Sequence, residues 1–515
     1  MKRIIIAMCA LTVFAACKKD LEEKPYSSLA ASNVFSGEDG VNKATLGIYQ
    51  AYAINPFTDF YTWIISEVGQ RYNTFGQTAN TFIDPYQKFV ITPTTGGLAE
   101  QWAQMYTIIS RANLVIDNAN GAMSANLATR YIAEAKFLRG YAHFMLTRWF
   151  GDIPIVNSSV SSLAQTDAIY GVRKPVAEVY DSIVADMQFA EANLPAVWPN
   201  SADIGRITAG VAKAGLGKVY LTMAGKPLEK SEYFQKAVDE LSQLVGPGEA
   251  TYNFALLDHF PDVFALGNER GPEMILTFSH FFSSISGIGS IIPFWFGPNG
   301  LNGPAQDFIG YTNSMYLLYE PSDERRDFTL PYRYKTNVPG DNGDSIVYDP
   351  TYPGYWDIDA DKPYALQRSG IGYGKYAREP LGVLPWAYNS DLVYIRFSDV
   401  LLMLAEALNE TGNSAEGLTH LNRIRVRANV SILSSTDQGE LRAAIRKERL
   451  LELTGEFTTV FDIRRWGTLK DEIAAMSPEQ VFAKDLAPYD PKLEVYPIPQ
   501  TELDANQYLI QNPGY

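Results

Sequence analysis

The sequence predicts a mainly α-helical protein in which repeated helix pairs form a scaffold and a long irregular, loop-rich layer is laid on it. Three observations lead there. Residues 99–119 and 129–150 carry two successive helical stripes. Residues 211–245 and 398–428 each read as helix, glycine-containing turn, helix. Residues of about 250–390 are rich in Gly, Pro, Asn and Tyr and show no sustained periodicity. That region is too long for an ordinary loop, and its aromatic content opposes disorder.

At the N-terminus, Met1, Lys2 and Arg3 give a positive start, Ile4 to Ala16 an apolar stretch of 13 residues, and Ala15 and Ala16 small residues ahead of a cut. This is the pattern of an export signal over 1–16. A helix needs roughly 20 apolar residues to span a bilayer, so the stretch is too short to anchor the chain. The chain holds two cysteines, Cys9 and Cys17. A cut before Cys17 removes the first and leaves the second without an internal disulfide partner. A lone cysteine at the new N-terminus resembles the bacterial lipoprotein arrangement, which implies lipidation of Cys17; ordinary secretion with an incidental cysteine is the alternative. Asp20, Glu22 and Glu23 are similar to signals that carry such lipoproteins to the cell surface. Residues 17–32 read as a flexible tether. Residues 33–515 read as one domain, with helical scaffold over about 40–245 and 391–470, the irregular layer over about 250–390, and a closing segment over 471–515.

Within the scaffold, Tyr131, Ala135, Leu138, Ala142, Met145 and Trp149 repeat at spacings of 4, 3, 4, 3 and 4, a buried helix stripe. Gly151 and Pro154 end that helix. The preceding helix runs through Trp102, Tyr106, Ile109, Asn113 and Ile116. In 398–428, Leu401, Leu404 and Leu408 face one way, and Leu418, Leu421 and Ile424 form the partner stripe. These units resemble tetratricopeptide repeats, whose helix pairs stack to bury a shared core. Three pairs are clear, and a fourth fits the pattern.

Composition narrows the partners. A net charge of −15 and a pI near 4.9 oppose binding to nucleic acid and to anionic headgroups. With 31 Tyr against 26 Phe and 8 Trp, much aromatic surface carries a polar handle, which suits a neutral, hydroxyl-rich ligand. The four histidines, His143, His259, His280 and His420, stand far apart and give no zinc pattern. Gly372-x-Gly374-x-x-Ala377 lacks the leading strand and following helix of a dinucleotide site. Asp357, Asp359 and Asp361 have the alternate spacing of a calcium loop, but Lys362 and Arg368 occupy its Gly and Glu positions. An acidic turn is the favoured reading and calcium the weak alternative. No acidic pair is singled out for glycoside hydrolysis. Arg446, Glu448, Arg449 and Glu452 lie one turn apart and read as structural ion pairs, with Arg464, Arg465 and Trp466 packing against the same closure.

The segments "YIRFSDVLLMLAEALNETGN", "LNRIRVRA", "IRKERLLELTGE", "FDIRRWG" and "YPIPQTELDANQYLIQNPGY" resemble the SusD/RagB family of Bacteroidetes nutrient-binding lipoproteins. Upstream, "EAKFLRGYAHFMLTRWFGDIP" and "GRITAGVAKAGLGKVYLTMAG" match in order. The resemblance implies a SusD-like fold, no catalytic activity and no cofactor. It further implies a lipid-anchored, surface-exposed outer-membrane position over a SusC-like TonB-dependent transporter. The ligand is a glycan, or in the RagB branch a peptide. A surface glycoside hydrolase and a bare tetratricopeptide adaptor are the other classes.

The same resemblance implies a ligand site on an aromatic arc drawn from two loop regions, here 67–82 and 290–300. Tyr72, Phe75, Trp295 and Phe296 are the candidate platforms, with Arg71, Asn73 and Asn299 as polar neighbours and Trp356 as a further candidate. The competing reading is that "IIPFWF" is a buried strand, since continuous apolar runs commonly are.

Overall fold

Helix α1 (Glu38–Ala53) packs on the two long helices α3 (Leu98–Ala122) and α4 (Ala125–Phe150), while α2 (Pro56–Glu67) packs on α3. The computed structural model describes residues 34–53, 56–75, 81–159, 171–280, 289–298, 301, 305–306, 308–335, 345–347, 365–367, 371–376, 388–476 and 485–515. Cys17 and the tether lie outside them, as do Asn299, Trp356, Asp357, Asp359 and Asp361. Only two residues separate α3 from α4, so the chain reverses and the helices run antiparallel. The predicted stripe of α4 is buried throughout. Gly151 ends it at φ 73°, donating its N–H to the Thr147 carbonyl at 3.0 Å.

Helix α4 is buried on its other sides as well, because α1, α3 and α5 (Val176–Asn193) surround it. Glu134, Lys136 and Arg139 of this helix are accordingly paired with neighbouring elements. Arg139 grips Asp186 of α5 through two bonds of 2.7 Å, and Glu134 receives Arg206 at 2.8 and 2.9 Å. His143 is 1% exposed, and neither ring nitrogen has a hydrogen-bond partner among the described residues.

The array continues with α6 (Ala209–Ala224), α7 (Glu232–Leu241), α8 (Phe397–Glu410) and α9 (Ser414–Arg427). From α3 to α9 each helix packs on the one before it in the chain, even though the irregular layer intervenes between α7 and α8. Thr208 caps α6, its hydroxyl accepting from the Val211 N–H at 3.3 Å. Asp437 caps α10 (Gln438–Leu453) by accepting from the Glu440 N–H at 2.9 Å. Helix α10 lies on α8 and α9, and α11 (Thr459–Arg465) and α12 (Leu469–Ala474) follow it.

Seven short strands serve the layer: β1 (Asn73–Phe75), β2 (Met274–Phe278), β3 (Ile309–Tyr311), β4 (Arg333–Lys335), β5 (Ser345–Val347), β6 (Ala365–Gln367) and β7 (Leu392–Arg396). Strands β2 and β7 pair antiparallel, with Phe278 opposite Leu392 and Met274 opposite Arg396. The layer thus leaves the scaffold and returns to it at neighbouring positions. Strand β7 is buried along its whole length and runs directly into α8. Beside this pair, His280 lies 2.6 Å from Asp59, with both side chains buried.

Beneath the layer sits a buried ionic cluster. Arg396 meets Glu273 and Glu456 at 2.6 Å and Glu452 at 3.0 Å. Arg325 meets Asp323 at 2.7 Å, Glu448 at 2.6 Å and Glu452 at 3.1 Å. Arg425 pairs with Glu448, Lys375 with Glu456, and Arg427 with Glu452. Five cations thus meet five carboxylates. A second cluster joins Lys218 and Arg449 to Asp399, Arg449 and Arg465 to Asp462, and Arg465 to Glu406. Glu448, Arg449 and Glu452 therefore pair between elements, closing the array as their spacing suggested.

Candidate functional site

The turn from α2 into β1 carries Arg71, Tyr72 and Asn73, and β1 pairs antiparallel with β3: Asn73 opposite Tyr311, Phe75 opposite Ile309. The Thr312 N–H extends the pairing to the Tyr72 carbonyl at 2.8 Å. The segment before β3 folds back on the short helix Ile292–Phe296. The Phe308 N–H bonds the Trp295 carbonyl at 3.0 Å, and the Gln306 N–H bonds the Phe294 carbonyl at 2.7 Å. Backbone pairing through β3 therefore brings the two predicted loop regions, separated by more than 200 residues of sequence, into one unit.

"IIPFWF" is a single helical turn and not a strand, with Pro293 in its first turn, where the missing N–H costs no bond. Successive residues of a helix point about 100° apart, so neighbours divide between surface and core. Trp295 is half-buried. Its ring lies 4.5 Å from Phe308 and takes edge contacts from Phe294 at 5.3 Å and Phe60 at 5.8 Å. Its Nε1 has no hydrogen-bond partner among the described residues. Phe296 is fully buried, stacked on Trp63 at 4.1 Å and Phe60 at 5.4 Å. The expectation that Phe296 is a ligand platform is corrected: it is core.

Phe82 is 51% exposed and meets the edge of Tyr61, which in turn packs on Phe60. Trp295, Phe294, Phe308 and Phe82 thus share one ring network through Phe60 and Tyr61, with Phe82 at its exposed end. Sequence reasoning passed over Phe82, Phe294 and Phe308, although Phe82 closes the first predicted segment and Phe294 lies in the second.

The polar neighbours are arranged differently from the expectation. Asn73 is fully buried against Tyr311, so it cannot face a surface ligand. Arg71 pairs with Glu472 of α12 at 3.2 Å and lies over the Tyr72 ring at 5.1 Å. Both Arg71 and Tyr72 line a cavity of about 360 Å³ whose far wall is α10 to α12, including Arg446, Thr459 and Trp466. Burial raises the Tyr72 phenol, partly offset by Arg71. Below it, Glu67 caps α11 by accepting from the Gly455, Thr458 and Thr459 N–H groups and the Thr459 hydroxyl. Burial lifts its carboxyl to about 7, and these four donors act in the opposite direction. Phe75 pairs through its backbone with Ile309. Asn299, Trp356 and the three aspartates of 357–361 lie outside the described residues. Among the described residues no group of three or more His, Cys, Asp or Glu could hold a metal ion, and no helix is long and apolar enough to cross a membrane.

The fold, a solenoid of packed helix pairs faced with an irregular layer, matches solved SusD-type structures. The SusD homologue of Bacteroides thetaiotaomicron superposes with a TM-score of 0.80 at 23% identity, covering 94% of this chain and 98% of that one. Surface glycan-binding protein A of the same organism, solved in complex with laminarihexaose, superposes with a TM-score of 0.72 at 17% identity, covering 92% and 99%. A family model described as starch-binding associating with outer membrane matches residues 19–221, and one described as SusD family matches 298–515. SusD-like protein P2 of Formosa agariphila is 28% identical over 547 residues, spanning 100% of both chains. The chain belongs to the SusD family.

Proposed function

We propose that the protein is a cell-surface lipoprotein, acylated at Cys17, that captures a neutral oligosaccharide and passes it to a SusC-like TonB-dependent barrel in the outer membrane. It acts by binding, without catalysis. The observation that carries this reading is the aromatic group of Trp295, Phe308 and Phe294 on the irregular layer, linked through Phe60 and Tyr61 to the exposed Phe82. Sugar rings present an apolar C–H face that lies flat on such planes, while their hydroxyls need polar neighbours. Phe75, Asn299 and Trp356 are assigned to the same surface, and Tyr72 and Arg71 to its rim. The laminarihexaose complex of a structural neighbour and the outer-membrane description of the matching family model support the same reading.

The test is calorimetric titration of the Cys17→Ser protein with a panel of neutral oligosaccharides, laminari-oligosaccharides among them, and of peptides. Trp295→Ala is expected to weaken saccharide binding by about 1–3 kcal/mol, roughly 5- to 150-fold. Phe296→Ala, one residue away but in the core, is expected to cost about 3–5 kcal/mol of stability. Affinity unchanged in Trp295→Ala for every saccharide bound by the parent would remove the patch from the site. Binding of peptides and no saccharide would replace the glycan reading.

A further inference from the structure

A second cavity, of about 190 Å³, opens between α4, the link after α6, and α11. Arg148, Arg464, Arg465, Lys226, Tyr489 and Glu494 are among the residues that line it. Pockets for drug-sized ligands run to about 300–1,000 Å³, so this one suits a single small group. Its charge runs against the protein as a whole: four cations face one carboxylate, in a chain of net charge −15.

Among the described residues Arg148, Arg464 and Lys226 form no ion pair, and the charge of Asp462 reaches Arg148 only from a distance. The Arg148 guanidinium is sandwiched between Phe144 at 4.1 Å and Phe461 at 3.7 Å. Its polar partners are the Met145 sulfur at 2.6 Å and the Tyr141 phenol, both uncharged, and its Nε is buried without a partner. The Arg464 guanidinium lies 4.2 Å over Tyr496 and donates through Nη2 to the Leu493 carbonyl at 3.1 Å. Its Nε and Nη1 are buried without hydrogen-bond partners among the described residues, and the Tyr496 phenol is its nearby polar group. Arg465, by contrast, is neutralised by Glu406 and Asp462. Glu494 accepts from the Tyr489 hydroxyl at 2.9 Å.

Aromatic rings cover the faces of both unpaired guanidiniums and leave their in-plane N–H donors as the remaining binding capacity. Those donors are built to grip the oxygens of an anion. Both side chains are half-buried, and a cation drawn partly out of water without a counter-charge is unfavourable, a cost that an anion in the cavity reduces. Burial also lowers the Arg148 guanidinium from its ordinary value, the direction expected of a cation short of counter-charge. We propose that this cavity is a binding site for a small oxyanion, sulfate or phosphate, free or carried as an ester, held by Arg148 and Arg464 with Lys226 at its mouth. The site is separate from the aromatic patch and does not depend on the glycan reading.

The test is thermal shift and calorimetric titration of the Cys17→Ser protein with sodium sulfate and sodium phosphate, against sodium chloride at matched ionic strength. A saturable stabilisation by sulfate or phosphate that chloride does not reproduce is expected. Arg148→Gln and Arg464→Gln should each weaken it at least tenfold. Lys226→Ala, at an exposed position, should weaken it several-fold and keeps the test decisive if the arginine variants fail to fold. Glucose 6-sulfate against glucose separates the sources: competition by the ester alone assigns an esterified ligand, and binding of the inorganic ions alone assigns a free anion. Stabilisation no greater than that of chloride, or unchanged affinity in the folded variants, would overturn the assignment.

Discussion

Glu452→Gln is the sharpest probe of how the scaffold is closed. Glu452 is fully buried in the last turn of α10, where its carboxylate meets Arg396 at 3.0 Å, Arg325 at 3.1 Å and Arg427 closer still. The substitution keeps volume and shape, so the change is one of charge. Five cations would then face four carboxylates. Arg427 would keep only Glu273, at 3.4 Å, while Arg325 and Arg396 retain Asp323, Glu448 and Glu456. Removing one member of a buried pair typically costs about 3–5 kcal/mol, because the remaining charge is left uncompensated out of water. We expect a loss in that range, measured from urea unfolding midpoints at pH 7. Glu410→Gln is the control. Its partner Arg442 is 35% exposed, and surface pairs contribute about 0–1 kcal/mol. A loss below about 1 kcal/mol for Glu452→Gln would refute the reasoning, since the cluster would then behave as a solvated surface network.

Two further outcomes are expected. Burial, with Arg139 adding to it, pushes His143 down from 6.5 to about 4. Between those values the unfolded chain binds a proton that the fold excludes, so stability falls as pH drops from about 6.5 toward 4, by up to roughly 3 kcal/mol. His143→Leu should flatten that part of the profile, and unfolding midpoints at pH 7 and pH 4.5 that move in parallel for both proteins would refute it. At the membrane, the parent chain should copurify with a TonB-dependent barrel from native membranes, and Cys17→Ser should appear in the soluble or precursor fraction. A mature chain without lipid, or a lipoprotein recovered without any barrel, would contradict the proposed delivery.

The fold was legible wherever period and spacing carry the information. The stripes of α3, α4, α8 and α9 could be read because their burial follows local sequence, and the ionic closure was signalled by Glu448, Arg449 and Glu452, whereas Arg446 lies over the Trp466 ring and joins no ion pair among the described residues. Helix α5 has an equally regular stripe in Val179, Ile183, Met187 and Ala190, all buried. A search for pairs joined by short glycine turns passes over it, because residues 151–175 separate it from α4. The site was less legible, for a physical reason. Whether Trp295 or Phe296 faces out depends on a single helical turn that an apolar run does not reveal. The engagement of Arg71 depends on Glu472, some 400 residues further along the chain. The contact of Phe308 with Trp295 follows from the chain folding back on the 292–296 turn before it enters β3, which composition cannot show.

The pairing of β2 with β7 has a consequence for how this protein can change over time. Because Phe278 and Leu392 sit side by side, the two ends of the excursion are fixed by that pairing, while Arg325, Lys375 and Phe296 within it are tied to the scaffold by buried ion pairs and ring stacking. Closing a longer excursion between fixed ends is inexpensive, with each doubling of a flexible loop adding only about 0.6 kcal/mol. The parts of residues 279–391 outside these anchor points can therefore be lengthened, shortened or rewritten while α7 and α8 continue to stack. Selection can retune the ligand-facing surface of such a protein without renegotiating its core.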